Sequence, residues 1–285
     1  MPTDFAGLRV LSLESRRAQE IFKLIANCGG QPMVVSSVRE VPLESNREGL
    51  EFARQLAEGR LDMVIFMTGV GVRLLLRVVE TAYPREAFVT ALSRVTVVAR
   101  GPKPVAVLRE IKVPISLMVP EPNTWRDLLT ALDEERGTLP LQGRRVALQE
   151  YGVANPELTA GLEQRGAEVI SVPVYEWALP EDTRPLQEVV AAILRGEVDV
   201  FLVTSSVQVR HLFEVAEGKG LREKLGVAMG QTFIASIGPL TSEELQRQGI
   251  PADMEPSHPK MGFLVKEAAE RASPGFQKKR KGAEG

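Results

Sequence analysis

The sequence predicts an α/β protein built on parallel sheets. Short runs rich in Val, Ile and Leu alternate with segments of helical length and amphipathic spacing, which is typical of repeated strand–helix–strand units. The apolar runs are nearly continuous, as expected of strands that helices cover on both faces. Similar patterns occur twice within the 285 residues, a length sufficient for two domains.

Apolar runs of strand length recur throughout the chain. The predicted strands span Leu8 to Leu13, Met33 to Val38, Met63 to Met67, Val95 to Ala99, Ile115 to Val119, Arg145 to Gln149, Val169 to Val174, Val200 to Val203 and Phe233 to Ile237. The segments between them include the predicted helices Glu48 to Glu58, Trp125 to Glu134, Leu158 to Arg165, Leu186 to Leu194, Ser242 to Gln248 and Phe263 to Arg271.

An internal repeat is the most informative feature. Residues 63–73 read MVIFMTGVGVR and residues 200–210 read VFLVTSSVQVR, each an apolar strand, a Thr, a small-residue turn and a Val-Arg pair that opens a helix. At the same distance after each Arg follows a Gly-Pro pair, Gly101-Pro102 or Gly238-Pro239. Each copy thus has a Thr at the end of its strand, Thr68 or Thr204.

A second repeated pattern allows two ways to divide the chain. Strand–helix–strand units begin at Gly7 and at Gly143. Two similar domains therefore lie either in tandem, roughly 1–140 and 141–285, or with residues 44–173 inserted so that the N-terminal unit combines with 178–285. The pattern alone favours neither arrangement. The end of the chain, residues 273–285, is rich in charge and Gly without periodicity and is predicted to be disordered.

Composition and motifs exclude several classes of function. A formal net charge of −2 provides no general positive field for nucleic acid or an anionic membrane. One Cys and two His cannot form a Cys/His zinc site, a disulfide or a redox pair, so we expect no metal. No apolar run reaches the length of a membrane span, no signal peptide is evident, and the expected location is cytoplasmic. No nucleotide-binding fingerprint or nucleophile elbow is present.

The candidate ligand edge lies at the carboxyl ends of the strands, where helix N-termini direct N–H groups outward. Four turns lie there in matched pairs. Their candidate binding residues are Thr68, Gly69, Gly101, Lys103, Thr204, Ser205, Ser206, Gly238, Pro239 and Thr241. Thr241 and Glu244 have the spacing of a capping box, so Thr241 is also a candidate N-cap.

Three other side chains have alternative interpretations. His211 follows a Val-Arg pair, and a structural position on a helix explains it more simply than catalysis. His258 precedes a Pro in a predicted loop and is a candidate ligand contact. Tyr175, close to Pro173 and Trp177, either packs against its segment or presents its phenol to a cleft.

Taken together, these motifs resemble the uroporphyrinogen-III synthase family over about residues 7 to 270. The resemblance rests on the turn from Val203 to Arg210, the segment Ile237 to Thr241, Gly249-Ile250, Glu255-Pro-Ser257 and the strand Val172-Pro-Val-Tyr175-Glu. Each motif is weak alone, and their combination is specific.

The resemblance implies two doubly wound, flavodoxin-like domains joined by a two-stranded antiparallel linker. Domain one would comprise 1–39 plus 178–285 and domain two 44–173, with linker strands at 39–44 and 173–179. It implies a cofactor-independent lyase of tetrapyrrole biosynthesis that cyclises hydroxymethylbilane to uroporphyrinogen III, with ring D inverted through a spiro intermediate. The expected partners are this substrate and a transient hand-over from hydroxymethylbilane synthase, with a monomeric enzyme and no nucleic acid or membrane.

The resemblance also assigns roles to particular residues. Tyr175 matches the linker tyrosine proposed to assist departure of the hydroxyl as a general acid. Thr241 matches a cap threonine that lines the cleft, and Thr204 with Ser205 matches the small polar turn. The chain departs from the family at Val207, where Ser is common, at Pro104, where Thr is common, and at the shorter turn 68–71.

Two alternative interpretations of the function do not involve catalysis. A two-lobed protein that closes on a small anion would share this architecture, but such proteins are typically exported and the chain shows no signal. A regulatory interaction protein would depend on the basic end of the chain. Incubation with hydroxymethylbilane and separation of the product isomers would discriminate catalysis from both.

Overall fold

The computed structural model describes residues 4–43, 47–150, 152 and 154–283. These residues form eleven strands and twelve helices in the order β1 (Arg9–Ser12), α1 (Ala18–Asn27), β2 (Gln31–Val34), β3 (Arg39–Pro42), α2 (Arg47–Ala57), β4 (Met63–Phe66), α3 (Gly69–Val79), α4 (Arg85–Leu92), β5 (Thr96–Ala99), α5 (Pro102–Glu110), β6 (Leu117–Met118), α6 (Trp125–Glu134), β7 (Arg145–Gln149), α7 (Pro156–Glu163), β8 (Glu168–Val172), β9 (Tyr175–Ala178), α8 (Arg184–Leu194), β10 (Val200–Val203), α9 (Ser206–Glu217), α10 (Arg222–Met229), β11 (Phe233–Ser236), α11 (Pro239–Arg247) and α12 (Met261–Ala283).

The chain divides into two compact units. Unit one comprises Met1–Arg39 and Ala178–Gly285, and unit two comprises Glu40–Trp177. The chain passes between the units at β3 and β9, which pair in a two-stranded sheet. Independent folding of the predicted domains, 1–39 plus 178–285 and 44–173, stays a prediction. Glu44, at one predicted boundary, lies outside the described residues.

Each unit contains one parallel sheet, and the predicted α/β class is confirmed. The strand order is β2-β1-β10-β11 in unit one and β8-β7-β4-β5-β6 in unit two. Counted from β1 and from β7, both sheets follow the flavodoxin-like order 2-1-3-4, with β6 as a fifth strand. The strand order therefore changes direction at one point in each sheet. This point lies between β1 and β10 in unit one and between β7 and β4 in unit two.

The sheets are apolar on both faces because helices cover both. Along β10, Phe201 and Val203 pack with helices α8 to α11, whereas Val200 and Leu202 pack with α1 and α12. Unit two alternates in the same way. The side chains of Val64 and Phe66 on β4 meet α2 to α5, and those of Met63 and Ile65 meet α6 and α7. The continuous apolar runs in the sequence arise from this double coverage.

The internal repeat is confirmed by equivalent backbone interactions. The Asp62 carboxylate accepts the N–H of Arg145 at 2.8 Å, and the Asp199 carboxylate accepts the N–H of Arg9 at 2.8 Å. Each Asp precedes the third strand of its sheet and fixes the start of the first. Gly59 and Gly196, one repeat apart, both adopt a positive φ, of 67° and 70°, in the turn before these strands.

The structure adds two details to the sequence prediction. The spacing that separates Asp62 from Asp199 pairs Thr68 with Ser205, and these two residues are the N-caps of α3 and α9. The backbone of α12 continues to Ala283, and the predicted disorder of residues 273–285 stays a prediction. The helix-forming residues Gln, Lys, Arg and Ala after Pro274 explain the continuation.

We expect Asp62→Asn to lower the free energy of unfolding at pH 7 by about 1 kcal/mol, because hydrogen bonds to a charged group contribute most. The N–H of Arg145, aided by the Arg144 guanidinium, holds the pKa of Asp62 below its ordinary value. A lowered pKa stabilises the folded state above the unfolded pKa, and this contribution disappears as the pH falls through the folded pKa.

Urea unfolding of wild type and Asp62→Asn at pH 7 and at about pH 2.5 measures this effect. The two free energies of unfolding should differ at pH 7 and converge at the lower pH. A difference of equal size at both values would contradict the assignment.

Candidate functional site at the carboxyl ends of the strands

The structure places the predicted binding residues in two groups, one at the carboxyl edge of each sheet. Unit one contributes Thr204, Ser205, Ser206, Gly238, Pro239 and Thr241, which lie after β10 and β11. Unit two contributes Thr68, Gly69, Gly101 and Lys103, which lie after β4 and β5. Each group lies in the first turns of two neighbouring helices, where backbone N–H groups lack intrahelical acceptors.

Thr204 is fixed by two side chains that sequence analysis missed. Its N–H donates to Gln208 Oε1 at 3.0 Å, and Gln208 Nε2 donates to Thr204 Oγ1 at 2.8 Å. The Thr204 hydroxyl donates in turn to Glu14 Oε2 at 2.6 Å. Gln208 lies four residues further along, on α9, and this spacing is the signal that could have identified it. Glu14 follows β1, so only the pairing of β1 with β10 brings it near.

Ser205 begins α9 without using its side chain. It is the N-cap, with extended φ and ψ of −162° and 143°, and it makes no side-chain capping hydrogen bond. In this turn of the described chain, the N–H groups of Ser206 and Val207 are consequently available to an acceptor. A helix N-terminus with free N–H groups favours an anion through hydrogen bonds and through the helix dipole.

The second turn of unit one corrects the prediction for Thr241. Gly238 is the N-cap of α11 and Pro239 occupies its first position, so Thr241 lies inside the first turn and donates its N–H to the Gly238 carbonyl at 3.0 Å. Thr241 is buried, and it does not cap the helix with Glu244. Pro239 sets the start because its fixed φ suits the first helical position. The N–H of Leu240 lies at this end of the helix.

In unit two, Thr68 caps its helix and meets the candidate acid. Thr68 Oγ1 accepts the N–H of Gly71 at 3.0 Å and lies 3.1 Å from the Tyr175 hydroxyl. Its own N–H donates to Gln149 Oε1 at 3.3 Å. Tyr175 is 3% exposed, so its ring belongs to the core while its hydroxyl reaches the strand end. Packing and catalysis are both compatible with this position, and the catalytic role stays a prediction.

The helix α5 offers fewer donors than its counterpart. Gly101 is its N-cap, and Pro102 and Pro104 have no N–H group. A side chain on Gly101 would collide with Asn123, because an added Cβ would lie 2.0 Å from Asn123 Oδ1. Asn123 was not predicted, since it lies on a loop with no distinctive motif. Gly69 packs similarly against the carbonyl of Lys103, 2.7 Å from an added Cβ.

The histidines have separate positions. His211 is buried on α9, and its Nδ1 lies 2.6 Å from the Ser37 carbonyl oxygen, which agrees with a structural role. His258 is exposed, with Nδ1 3.2 Å from Ser257 Oγ. Within the described residues, no group of His, Cys, Asp and Glu side chains is arranged to hold a metal ion. None of the described helices has the length and apolar character needed to cross a membrane.

Comparison with known proteins identifies a family. Residues 19–266 match the family model of uroporphyrinogen-III synthase HemD. The chain is 29% identical over 264 residues to the uncharacterized protein YjjA of Bacillus subtilis, covering 92% of this chain and 95% of that protein. It is 32% identical over 238 residues to a provisionally named uroporphyrinogen-III synthase of Methanothermobacter thermautotrophicus, covering 83% and 87%.

The fold also resembles a solved structure. A mutant uroporphyrinogen III synthase of Thermus thermophilus superimposes with a TM-score of 0.67 at 26% sequence identity, covering 96% of this chain and 99% of that chain. The similarity thus extends over both units of the chain.

Thr68 and Ser205 provide a matched pair for testing the caps. Thr68→Ala should lower the free energy of unfolding by about 1 kcal/mol, because it removes the capping bond to Gly71. Ser205→Ala should change it by less than about 0.5 kcal/mol, since Ser205 makes no capping bond. Urea unfolding of both variants measures the difference, and equal losses would show that the two caps are equivalent in solution.

Proposed function

Since the chain belongs to the uroporphyrinogen-III synthase family, we propose that it converts hydroxymethylbilane to uroporphyrinogen III. In this reaction the linear tetrapyrrole loses its hydroxyl and closes with ring D inverted, through a spiro intermediate. The family assigns the chain to porphyrin and tetrapyrrole biosynthesis and to cyclising lyases.

The observation that carries the proposal is the pair of helix N-termini at the carboxyl edge of unit one. The helices α9 and α11 follow the neighbouring strands β10 and β11, and neither has a side-chain cap. The substrate bears many carboxylates, and backbone N–H groups at helix N-termini bind carboxylates without a metal or a high net charge. The turn residues Ser205, Ser206 and Gly238 are the proposed contacts of this unit.

The chemistry needs little from the protein. The pyrrole nitrogen pushes its electron pair toward the hydroxymethyl carbon, the C–O bond breaks, and the oxygen leaves with a proton as water. A pyrrole carbon of ring D then attacks the resulting azafulvenium ion. The protein must hold the chain so that the substituted carbon attacks, and such positioning lowers the entropic barrier of a reaction within one molecule.

We assign the general-acid role to Tyr175. Its hydroxyl lies at the strand end beside Thr68, and a phenol is protonated at neutral pH. Thr68 and Gly69, with Gly101 and Lys103, are the proposed contacts of unit two. In unit one Pro239 sets the start of α11, and Thr241 lies buried inside its first turn. The reaction requires no cofactor in this scheme.

The remaining proposals concern the cellular context. We expect a monomer in the cytoplasm that receives its substrate by transient hand-over from hydroxymethylbilane synthase, without nucleic acid or membrane. Hydroxymethylbilane cyclises without inversion when left alone, so rapid transfer would limit formation of the wrong isomer.

Incubation with freshly prepared hydroxymethylbilane tests the function. After oxidation, chromatography should show uroporphyrin III as the main isomer, formed faster than uroporphyrin I in the absence of protein. An isomer ratio equal to that of the protein-free reaction would exclude this activity.

Tyr175→Phe should lower kcat by up to about 10²-fold without abolishing activity, because general acids typically contribute 10²- to 10⁴-fold and the pyrrole itself assists departure. The product should remain isomer III. Tyr83→Phe, the same change at a partly buried tyrosine of the same core, serves as the control. A fully active Tyr175→Phe would show that the phenol only packs, and a product that is mainly isomer I would show that it steers the ring.

A further inference from the structure

Glu14 is an acidic side chain at the proposed carboxylate-binding edge. It follows β1, next to Thr204 at the end of β10, and is partly buried. The strand order changes direction between β1 and β10. In open α/β sheets, ligands bind in the crevice that forms at such a point.

The carboxylate of Glu14 is held in one position. Glu14 Oε2 accepts the Thr204 hydroxyl at 2.6 Å, and Glu14 Oε1 accepts the N–H of Arg17 at 3.2 Å. Gln208 Nε2 donates to the same Thr204 hydroxyl, so the single proton of that hydroxyl is directed to Glu14. These two hydrogen bonds fix the orientation of the Glu14 carboxylate at the end of the strand.

A fixed negative charge here is a disadvantage for binding alone. The proposed substrate carries many carboxylates, and like charges repel most strongly where water is excluded. N–H groups and hydroxyls alone would bind the substrate's carboxylates without this repulsion. A preorganised charge is useful where the opposite charge develops in the transition state, because it needs no rearrangement as the reaction proceeds.

We propose that the Glu14 carboxylate stabilises the positive charge that forms on the substrate as its hydroxyl departs. This rests on the proposed function. The C–O bond breaks, the oxygen takes its electron pair and a proton from the general acid, and water leaves. The pyrrole nitrogen then carries the positive charge as an azafulvenium ion. Glu14 exchanges no proton in this step, and the proton that the substrate loses once the macrocycle has closed restores the general acid.

Unit two supplies a matched control. Glu150 follows β7 as Glu14 follows β1, because Val10 and Val146 hold equivalent positions in their sheets. Both side chains are partly buried. The Glu150 carboxylate, however, accepts the hydroxyl of Ser171 on β8 at 2.7 Å. It therefore lies on the β8 side of β7, away from β4, whereas Glu14 lies on the β10 side of β1.

The test compares Glu14→Gln with Glu150→Gln in steady-state kinetics with hydroxymethylbilane. Gln keeps the size of Glu and an oxygen that accepts from Thr204, so the fold should be retained. We expect Glu14→Gln to lower kcat about 10²-fold, with KM unchanged or lower because a repulsive charge is gone. Glu14→Asp should recover part of the loss, and Glu150→Gln should stay within about twofold of wild type.

The outcomes separate this inference from the proposed function. A wild-type protein that forms no excess of uroporphyrinogen III contradicts the function itself. If wild type is active and Glu14→Gln keeps its kcat, only the role of Glu14 is contradicted. A rise in KM at unchanged kcat, or an equal loss in Glu150→Gln, would likewise overturn it.

Discussion

Parallel pairing of two strands that are distant in sequence is the constraint on which each unit depends. In unit one β1 pairs with β10, and in unit two β7 pairs with β4. Asp199 and Asp62 fix the register at the start of these pairs through the N–H groups of Arg9 and Arg145. This register also sets the positions of the carboxyl ends of the strands. The candidate site residues lie directly after those ends.

The two units use the same framework differently. In unit two the hydroxyl of Thr68 is engaged by Gly71 and Tyr175, and prolines remove donors from the neighbouring helix. In unit one the N-cap Ser205 makes no side-chain capping bond, and the Thr204 hydroxyl donates to the Glu14 carboxylate. In the proposed function, unit one therefore supplies most of the N–H donors and unit two supplies the phenol of Tyr175.

Sequence patterns predicted the features that depend on local chemistry. The strand ends, the turns and the repeat follow from apolar runs and from small residues such as Gly101 and Gly238. The position of Thr241 inside its helix was missed because the capping-box spacing to Glu244 competes with the start imposed by Pro239. Glu14 and Asn123 were missed because tertiary contacts alone bring them to the turns.

The proposed function depends on binding of the tetrapyrrole's carboxylates by the N-termini of α9 and α11. Amide NMR spectra of the protein titrated with reduced uroporphyrinogen III measure this directly. The amide signals of Ser206, Val207 and Leu240 should be among those that shift most. Unchanged signals at these three residues, with saturable shifts elsewhere in the chain, would contradict it.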